Sequence, residues 1–595
     1  MAVLGVTKSF GGCKWVGADV PERDISLLCQ KYQISDFLAR LLLSRGVGEK
    51  EVPSFLTPTL RNNLPDPCIL KDMEKGAARV AQAVLNKESI GIIGDYDVDG
   101  ATSTSVVKLF LEYVGCSVET FIPEREDGYG PNAREMKRFF DKGIRLVLTV
   151  DCGMTAFEPI QAAYDLNMEV IVIDHHEPEV SLPKAYAVIN PKRLDEPKDN
   201  PCHHLAAVGV CFLFVVALNR ILRQSGFYEK KALKEPDLKQ WLDLVALGTV
   251  CDVVKLTGVN RLYVKTGLKQ IRTGHNIGIR KLAEFSHLQE ELSTYHLGYV
   301  LGPLLNAGGR VGESSAAMRL LSSRSEREAE ILTQQLADHN AERKKIESDV
   351  LSSALKQVEA DLTPQSRFLF AAGENWHQGV IGIIAGRLKE KYNLPAFVLS
   401  IEKDEVKGSS RSVPGVDLGE TIMAALDKKV LTRGGGHPMA AGFSLTKEQI
   451  TPFKSFLEQY LLRFNQDEKN RELKIDAVLD VKGASLNLVD ELSDLEPFGE
   501  GNPEPRFALK DVWISQVVPL KNGHLKCTLC GKNGGSLSAI AFRSEGTPLG
   551  QALLACQRDH LIHIAGVLKE NVWQGRRSAQ FIIQDAAQSA PNNDF

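Results

Sequence analysis

Apolar positions in the first half of the chain come in short unbroken runs, and several of the runs end in carboxylates. Residues 90–93 (Ile, Gly, Ile, Ile) give way to Asp95, Asp97 and Asp99; residues 145–150 run into Asp151; residues 169–173 run into Asp174, His175 and His176. Runs this short and this rich in β-branched residues predict strands buried on both faces. Between them the apolar spacing changes to three and four. Val106, Val107, Phe110, Leu111 and Val114 share one face of a predicted helix over 102–114, and weaker helical patterns lie near 134–140 and 157–166. Further strands are predicted at 118–122 and 186–189. Strand and helix alternating at this spacing predict a parallel α/β sheet, which binds ligands beyond the carboxyl ends of its strands.

The remaining pattern divides the chain further. Residues 1–88 read as helical, with apolar positions three and four apart over 34–43, and are expected to pack beside the sheet. The uncharged run 205–218 is shorter than the ~20 residues of a membrane span and predicts a buried helix. Another apolar run, 241–250, leads to Cys251 and Asp252, and locally Asp252 reads as a helix-end or turn residue. Residues 322–362 are charged and contain no Pro or Gly, which predicts a solvated helix about 50–60 Å long, enough to bridge two domains. Residues 363–465 read as a second α/β unit. Its glycine runs beside Arg411 and His437 could offer backbone N–H groups to a phosphate, or could be ordinary turns. Over 470–586, Asn522-Gly523 and Asn533-Gly534-Gly535 are hairpin signals in a set of short strands, which predicts a small all-β barrel. Residues 587–595 are expected to be a mobile tail.

A chain of 595 residues exceeds one core and fits three or four units. With 43% hydrophobic and 25% charged residues it has a globular composition, and a net charge of -4 gives no general affinity for polyanions but leaves room for a local basic face. Eleven cysteines without a regular framework, and an N-terminus lacking a continuous apolar core, lead us to expect a cytoplasmic protein with no membrane association. Cys527 and Cys530 form a lone C-x-x-C and read as strand residues rather than a metal site.

Three carboxylates at alternate positions repel one another, so a fold that gathers them usually supplies a cation. A polar turn is the local alternative for 95–99. The two later runs that also end in metal-ligand residues favour the cation.

In chain order, Gly94-Asp95-Tyr96-Asp97-Val98-Asp99-Gly100, Val150-Asp151-Cys152-Gly153, Asp174-His175-His176 and Gly248-Thr249-Val250-Cys251-Asp252 resemble the DHH phosphoesterase superfamily. Residues 305–310, 376–379, 408–412, 434–437 and 496–505 narrow the resemblance to its RecJ family, over nearly the whole chain from about Asp24. The resemblance implies a multidomain α/β protein: a helical preamble (1–88) on a parallel-sheet DHH domain (89–321), a connecting helix (322–362), a second α/β, DHHA1-like domain (363–465), and a C-terminal barrel resembling oligonucleotide-binding (OB) folds (470–586). It implies a 5′→3′ exonuclease that degrades single-stranded DNA to mononucleotides, acting in repair and recombination. Two divalent metals, Mn²⁺ or Mg²⁺, would be held by Asp97, Asp99, Asp151, His175 and Asp252, with Asp95 in or beside the set. By the same carry-over His176 sits near the scissile phosphate, while Asn306, Arg310, Ser409, Arg411, Gly435, Gly436 and His437 bind the substrate. Implied partners are single-stranded DNA with a 5′ end, a single-strand-binding protein and a helicase. Ser410 stands where the family usually has Gly, and Gly308 where Ala is frequent. A phosphoesterase for small substrates and a non-catalytic scaffold are the rival readings; the barrel argues against the first and the intact ligand set against the second.

Overall fold

The three carboxylate-terminated runs form neighbouring strands of one parallel sheet. Its order is Val118–Phe121, Ile90–Ile93, Leu146–Val150, Glu169–Ile173, Ala187–Ile189, every pair parallel. Ile90–Ile93 and Leu146–Val150 are buried at every position, as strands covered on both faces must be. The chain runs from Ile90–Ile93 outward to Val118–Phe121 and then returns across it to Leu146–Val150. Strand order therefore reverses between the strands that precede Asp95 and Asp151, the place where open α/β sheets leave a crevice.

Two compact units make up the chain: Met1–Leu64 with Lys255–Lys265 and Glu468–Phe595, and Pro65–Val254 with Thr266–Asp467. The computed structural model describes residues 2–125, 128, 130–288, 291–464, 471–556 and 561–589.

The second of these units holds the parallel sheet. Helix Ala207–Gln224 is its main core helix, with 72% of its 18 residues buried; it is long and apolar enough to cross a membrane by composition, but its apolar surface is spent on the sheet and its neighbours. Helix Glu326–Asp361 runs for 36 residues, about 54 Å at ~1.5 Å per residue. It differs from the solvated helix read from the charges: Ala329, Leu332, Leu336, Val350, Ala354 and Val358 form a buried stripe along its length. Charged side chains occupy the rest of its circumference and hide that stripe from a composition reading. Beyond it, strands Arg433–His437, Ala440–Thr446, Glu405–Arg411, Ala396–Glu402 and Leu369–Glu374 form a mixed sheet in that order, over a core in which Phe397, Phe443 and Phe453 meet. The glycine runs expected as loops lie in this sheet, Gly408 in Glu405–Arg411 and Gly434 to Gly436 in the edge strand Arg433–His437. Ser410 is buried there and donates from Oγ to Ala441 O at 3.2 Å, so the strand accepts a side chain at that position.

In the other unit, strands Arg506–Leu520, His524–Gly531, Ser536–Ala541, Arg576–Gln588 and Ile562–Trp573 pair in sequence, and Arg506–Leu520 returns to Ile562–Trp573 to close a barrel. Asn522 (φ 63°) and Gly523 (φ 72°) make the expected tight hairpin, because Asn and Gly tolerate the left-handed backbone it needs. Cys527 and Cys530 both lie in His524–Gly531 as free thiols, and Arg576–Gln588 extends through positions 587 and 588, which the sequence reading gave to the tail. Positions 590–595 of that tail lie outside the described residues.

The expectation for residues 1–88 needs a correction. Helix Met73–Asn86 does lie on the parallel sheet, with Gly76 close to Ile171 and Ile189. Residues up to 64 instead belong with the barrel: Ile25, Leu28, Leu38, Leu41 and Leu42 join one core with Phe507, Leu509 and Phe581, and Cys13–Gly17 pairs in parallel with Arg471–Ile475. An amphipathic stripe states that a face will be buried, not against what.

Candidate active site

Each acidic residue is placed by a strand end or a helix end. Asp95 follows Ile90–Ile93 after a single residue, Gly94. Asp97 is the N-cap of helix Val98–Tyr113, accepting from Gly100 N at 3.0 Å. Asp99, in the first turn of that helix, accepts from Ala207 N at 2.7 Å and Val208 N at 2.9 Å, the exposed donors at the start of Ala207–Gln224. Asp151 ends Leu146–Val150 in the left-handed region (φ 60°), tied by its N–H to Ile173 O at 3.0 Å. Few residues besides Gly, Asn and Asp adopt that conformation at small cost, and here it re-aims the carboxylate off the sheet. Asp252 caps the C-terminal end of Leu242–Cys251.

His175 donates from Nδ1 to Leu205 O at 3.1 Å, which leaves the Nε2 lone pair facing Asp151 Oδ1 (3.4 Å) and Asp99 Oδ2 (3.7 Å). Asp174 is buried and accepts from Met154 N, His175 N and His176 N, and its Oδ1 lies 2.7 Å from His176 Nδ1. It therefore positions both histidines without joining the ligand groups.

Among the described residues, three sets of donor atoms each lie within 4.8 Å: Asp95, Asp97 and Asp151; Asp99, His175 and Asp252; Asp151, His175 and His176. The first two share no residue, and Asp151 and His175 connect them through the third. Asp95 Oδ1 and Asp252 Oδ2 are buried with no hydrogen-bond partner among the described residues. Buried carboxylate oxygens in that state fit cations, and an oxygen-rich set with one imidazole fits Mn²⁺ or Mg²⁺.

Titration follows the same geometry. Burial, and then the neighbouring carboxylates, raise Asp95, Asp151 and Asp252 well above the ordinary range and push Asp99 up to about 7. Burial and the adjacent His176 bring His175 down to about 3, the neutral form a ligand needs. For His176 burial acts downward but is outweighed by the Asp174 hydrogen bond and nearby carboxylates, which raise it to about 9. Carboxyls raised in the fold stabilise it below their unfolded value near ~4, and that stability is lost as pH climbs through about 7. Mn²⁺ competes with protons for these oxygens. We therefore expect added Mn²⁺ to raise the melting temperature by several degrees more at pH 8 than at pH 5; equal increments in thermal melts would contradict the ligand groups.

A basic cluster lies near the acids. Arg310, on helix Gly302–Val311, is brought down to about 10 by burial and by the charges of Arg125, Arg343 and Arg411. Its Nη1 donates to Gly379 O at 3.0 Å, in the first turn of helix Gln378–Tyr392, whose N-cap His377 accepts from Gly379 N. A Cβ on Gly379 would stand 2.5 Å from Arg310 O, and one on Gly309 would stand 2.6 Å from Tyr96 O, so glycine permits both approaches. Arg411 bonds Ser409 Oγ (3.3 Å) and Ser410 O, and a Cβ on Gly382 would lie 3.2 Å from its Nη2. Arg343 is paired with Glu347 at 2.7 Å, which leaves Arg310, Arg125 and Arg411, beside the N-terminus of Gln378–Tyr392, as the groups fit to meet an anion.

The acids and histidines singled out in the sequence all converge. Arg310, Ser409 and Arg411 converge with them in the basic cluster, with Asn306 half-buried one turn before Arg310. Gly435, Gly436 and His437 lie on the edge strand, exposed, with His437 opposite Ala440 and Ala440 opposite Arg411. Sequence reasoning missed Asp174 as an orienting group, although it ends an apolar run. It also missed Arg125, whose side chain donates to Gly309 O at 3.0 Å and covers the Tyr96 ring, and Arg343, for which no local signal exists.

Comparison with known proteins matches residues 89–249 to the DHH family N-terminal domain, 365–463 to the DHHA1 domain and 475–585 to the RecJ OB domain. The chain is 33% identical over 567 residues to the single-stranded-DNA-specific exonuclease RecJ of Escherichia coli, covering 93% of this chain and 96% of that protein. It is 32% identical over 577 residues to the protein of that name from Bacillus subtilis, covering 96% of this chain and 70% of the relative. RecJ of Thermus thermophilus, solved in complex with Mn²⁺, superposes with a TM-score of 0.81 at 30% identity, over 97% of this chain and 80% of that one. The same protein in complex with Mg²⁺ gives a TM-score of 0.75 at 29% identity, over 97% and 79%.

Proposed function

The chain belongs to the RecJ family of single-stranded-DNA-specific exonucleases, and from that premise we propose that it hydrolyses single-stranded DNA to mononucleotides from a 5′ end, in DNA repair and recombination. The observation that carries the reading is the linked pair of ligand groups at the strand-order reversal, in the same unit as the Arg310 and Arg411 cluster.

Asp95, Asp97 and Asp151 would hold one divalent cation and Asp99, His175 and Asp252 a second, with Asp151 between them. Bound there, Mn²⁺ or Mg²⁺ lowers the pKa of water and neutralises charge developing on a phosphoryl group. The chain's own groups do the rest. His176, kept protonated by Asp174, offers an N–H to a phosphate oxygen beside the acids. Arg310 with Asn306, and Arg411 with Ser409, Gly435, Gly436 and His437, grip the phosphate at the strand end, and the half-buried position of both arginines limits competing water. The barrel of the other unit, matched to the RecJ OB domain, is a surface for the single strand. A single-strand-binding protein and a helicase, which would present such strands, are the partners we assign on family grounds. Eleven free thiols support a cytoplasmic setting.

Digestion of a 5′-phosphorylated single strand, labelled at either end, beside its duplex tests the reading. Mononucleotides should leave the 5′ end of the single strand alone, with Mn²⁺ or Mg²⁺ and not with chelator. Release from the 3′ end, or equal digestion of the duplex, would overturn it; hydrolysis of a dinucleotide alone would move the chain to small substrates.

A further inference from the structure

The helix that carries Asn306 and Arg310 begins earlier than the family motif. A single wide turn, His296–Leu301, runs into Gly302–Val311 without leaving the right-handed helical region. Leu297, Leu301, Leu304, Leu305 and Ala307 are buried, and Cys251 Sγ donates to Leu297 O at 3.5 Å, which seats this face on the helix ending in Asp252. The opposite face reads Tyr295, Tyr299, Pro303, Asn306, Arg310, positions three and four apart.

Tyr295 and Tyr299 are 58% and 75% exposed, yet their rings stack, with centroids 5.4 Å apart and planes at 27°. One exposed tyrosine needs no explanation. Two in a stack, at an i→i+5 turn of the kind found at functional sites, in line with a phosphate-binding arginine, do. The chain has 75 acidic residues, but none between 293 and 311. A polyanion can therefore follow this stripe without meeting a carboxylate on it.

We propose that Tyr295 and Tyr299 form a base-stacking platform for the single strand, holding bases a short way along from the nucleotide whose phosphate meets Arg310. This rests on the exonuclease reading above. Tyr299 precedes Arg310 by 11 residues, about 16 Å along the axis, which spans roughly two to five nucleotides. Stacking is indifferent to base identity, as an enzyme degrading any sequence requires.

The test compares oligonucleotides with normal or abasic sites at positions two to five from the 5′ end, on wild type, Tyr299→Ala and Tyr299→Phe. Base removal should raise KM for wild type about 5- to 150-fold, the range of one lost base stack. Tyr299→Ala should show the same raised KM on the normal strand and no further response to abasic sites; kcat and cleavage of a dinucleotide should hold, and Tyr299→Phe should restore wild-type behaviour. A fluorescent base at those positions should be quenched on binding in chelator by wild type and by Phe, not by Ala. Wild-type KM insensitive to base removal, or an equal loss on the dinucleotide in Tyr299→Ala, would overturn the platform. Failure of the exonuclease reading looks different, since wild type would then digest no single strand.

Discussion

Asp151→Asn is expected to lower turnover on single-stranded DNA by about 10³-fold or more while the metal-free protein melts at the same temperature or higher. Asp151 belongs to the donor group of one proposed cation and to the set that links it to the other, where its Oδ1 lies 3.4 Å from His175 Nε2, so its loss removes a ligand from the first position and alters the surroundings of the second. Asparagine is the informative replacement. It tolerates the left-handed backbone at φ 60°, where alanine would add strain, and it removes a charge that burial and the surrounding carboxylates hold at a cost to the metal-free fold. A variant that is inactive because it is misfolded would melt earlier. Steady-state digestion with saturating Mn²⁺, calorimetric Mn²⁺ binding and thermal melts in chelator separate these outcomes. Turnover within a few-fold of wild type would remove Asp151 from the ligand set.

Arg261→Met is expected to cost about 3–5 kcal/mol in the unit that contains the barrel, since several buried carbonyls lose their donor at about 1–3 kcal/mol each. Arg261 is 1% exposed, and its hydrogen bonds run to backbone carbonyls. Its guanidinium donates to Phe55 O (2.7 Å), Leu495 O (2.9 Å) and Glu496 O (2.8 Å), with longer bonds to Asp494 O and Pro497 O, and lies 3.8 Å from the Phe55 ring centroid. One side chain thus ties the N-terminal helices to the turn at 494–497 from within Lys255–Lys265, all parts of the same unit. Burial, then the charge of Arg45, brings it down to about 10, so it stays charged at neutral pH. Methionine fills much of the volume but leaves buried carbonyls without donors. Lysine keeps the charge but not the planar fork, and should fall between the two. A urea midpoint for Arg261→Met within the equivalent of 1 kcal/mol of wild type would contradict this account.

The carboxylate-ended strands were legible because two local rules coincide there. Buried parallel strands must be continuously apolar, and a catalytic crevice must sit where they end, so pattern and punctuation marked Asp95, Asp97, Asp99, Asp151 and His175 before any contact was known. Arg310, Arg411 and their neighbours were legible only through family motifs, since a lone arginine or a glycine run has no local meaning. The glycines at 408, 434 and 436 illustrate this: open to reading as turns, they are strand residues whose missing side chains let Phe443, Ile422 and the neighbouring strand approach.

Some features had no local signal at all. Asp252 is one more helix-capping residue until the end of Leu242–Cys251 is carried to His175, which no periodicity encodes. Arg125 and Arg343 enter the basic cluster from a loop and from the middle of a 36-residue helix. The first helices of the chain carried a clear apolar stripe, and only tertiary packing decided that it closes on the barrel more than 400 positions later rather than on the next strand. The sequence by itself determined which segments are strands or helices and which faces they bury, because those follow from neighbours within a few residues. Which buried faces meet is decided by shape and volume among distant segments, and the tertiary structure alone holds that information.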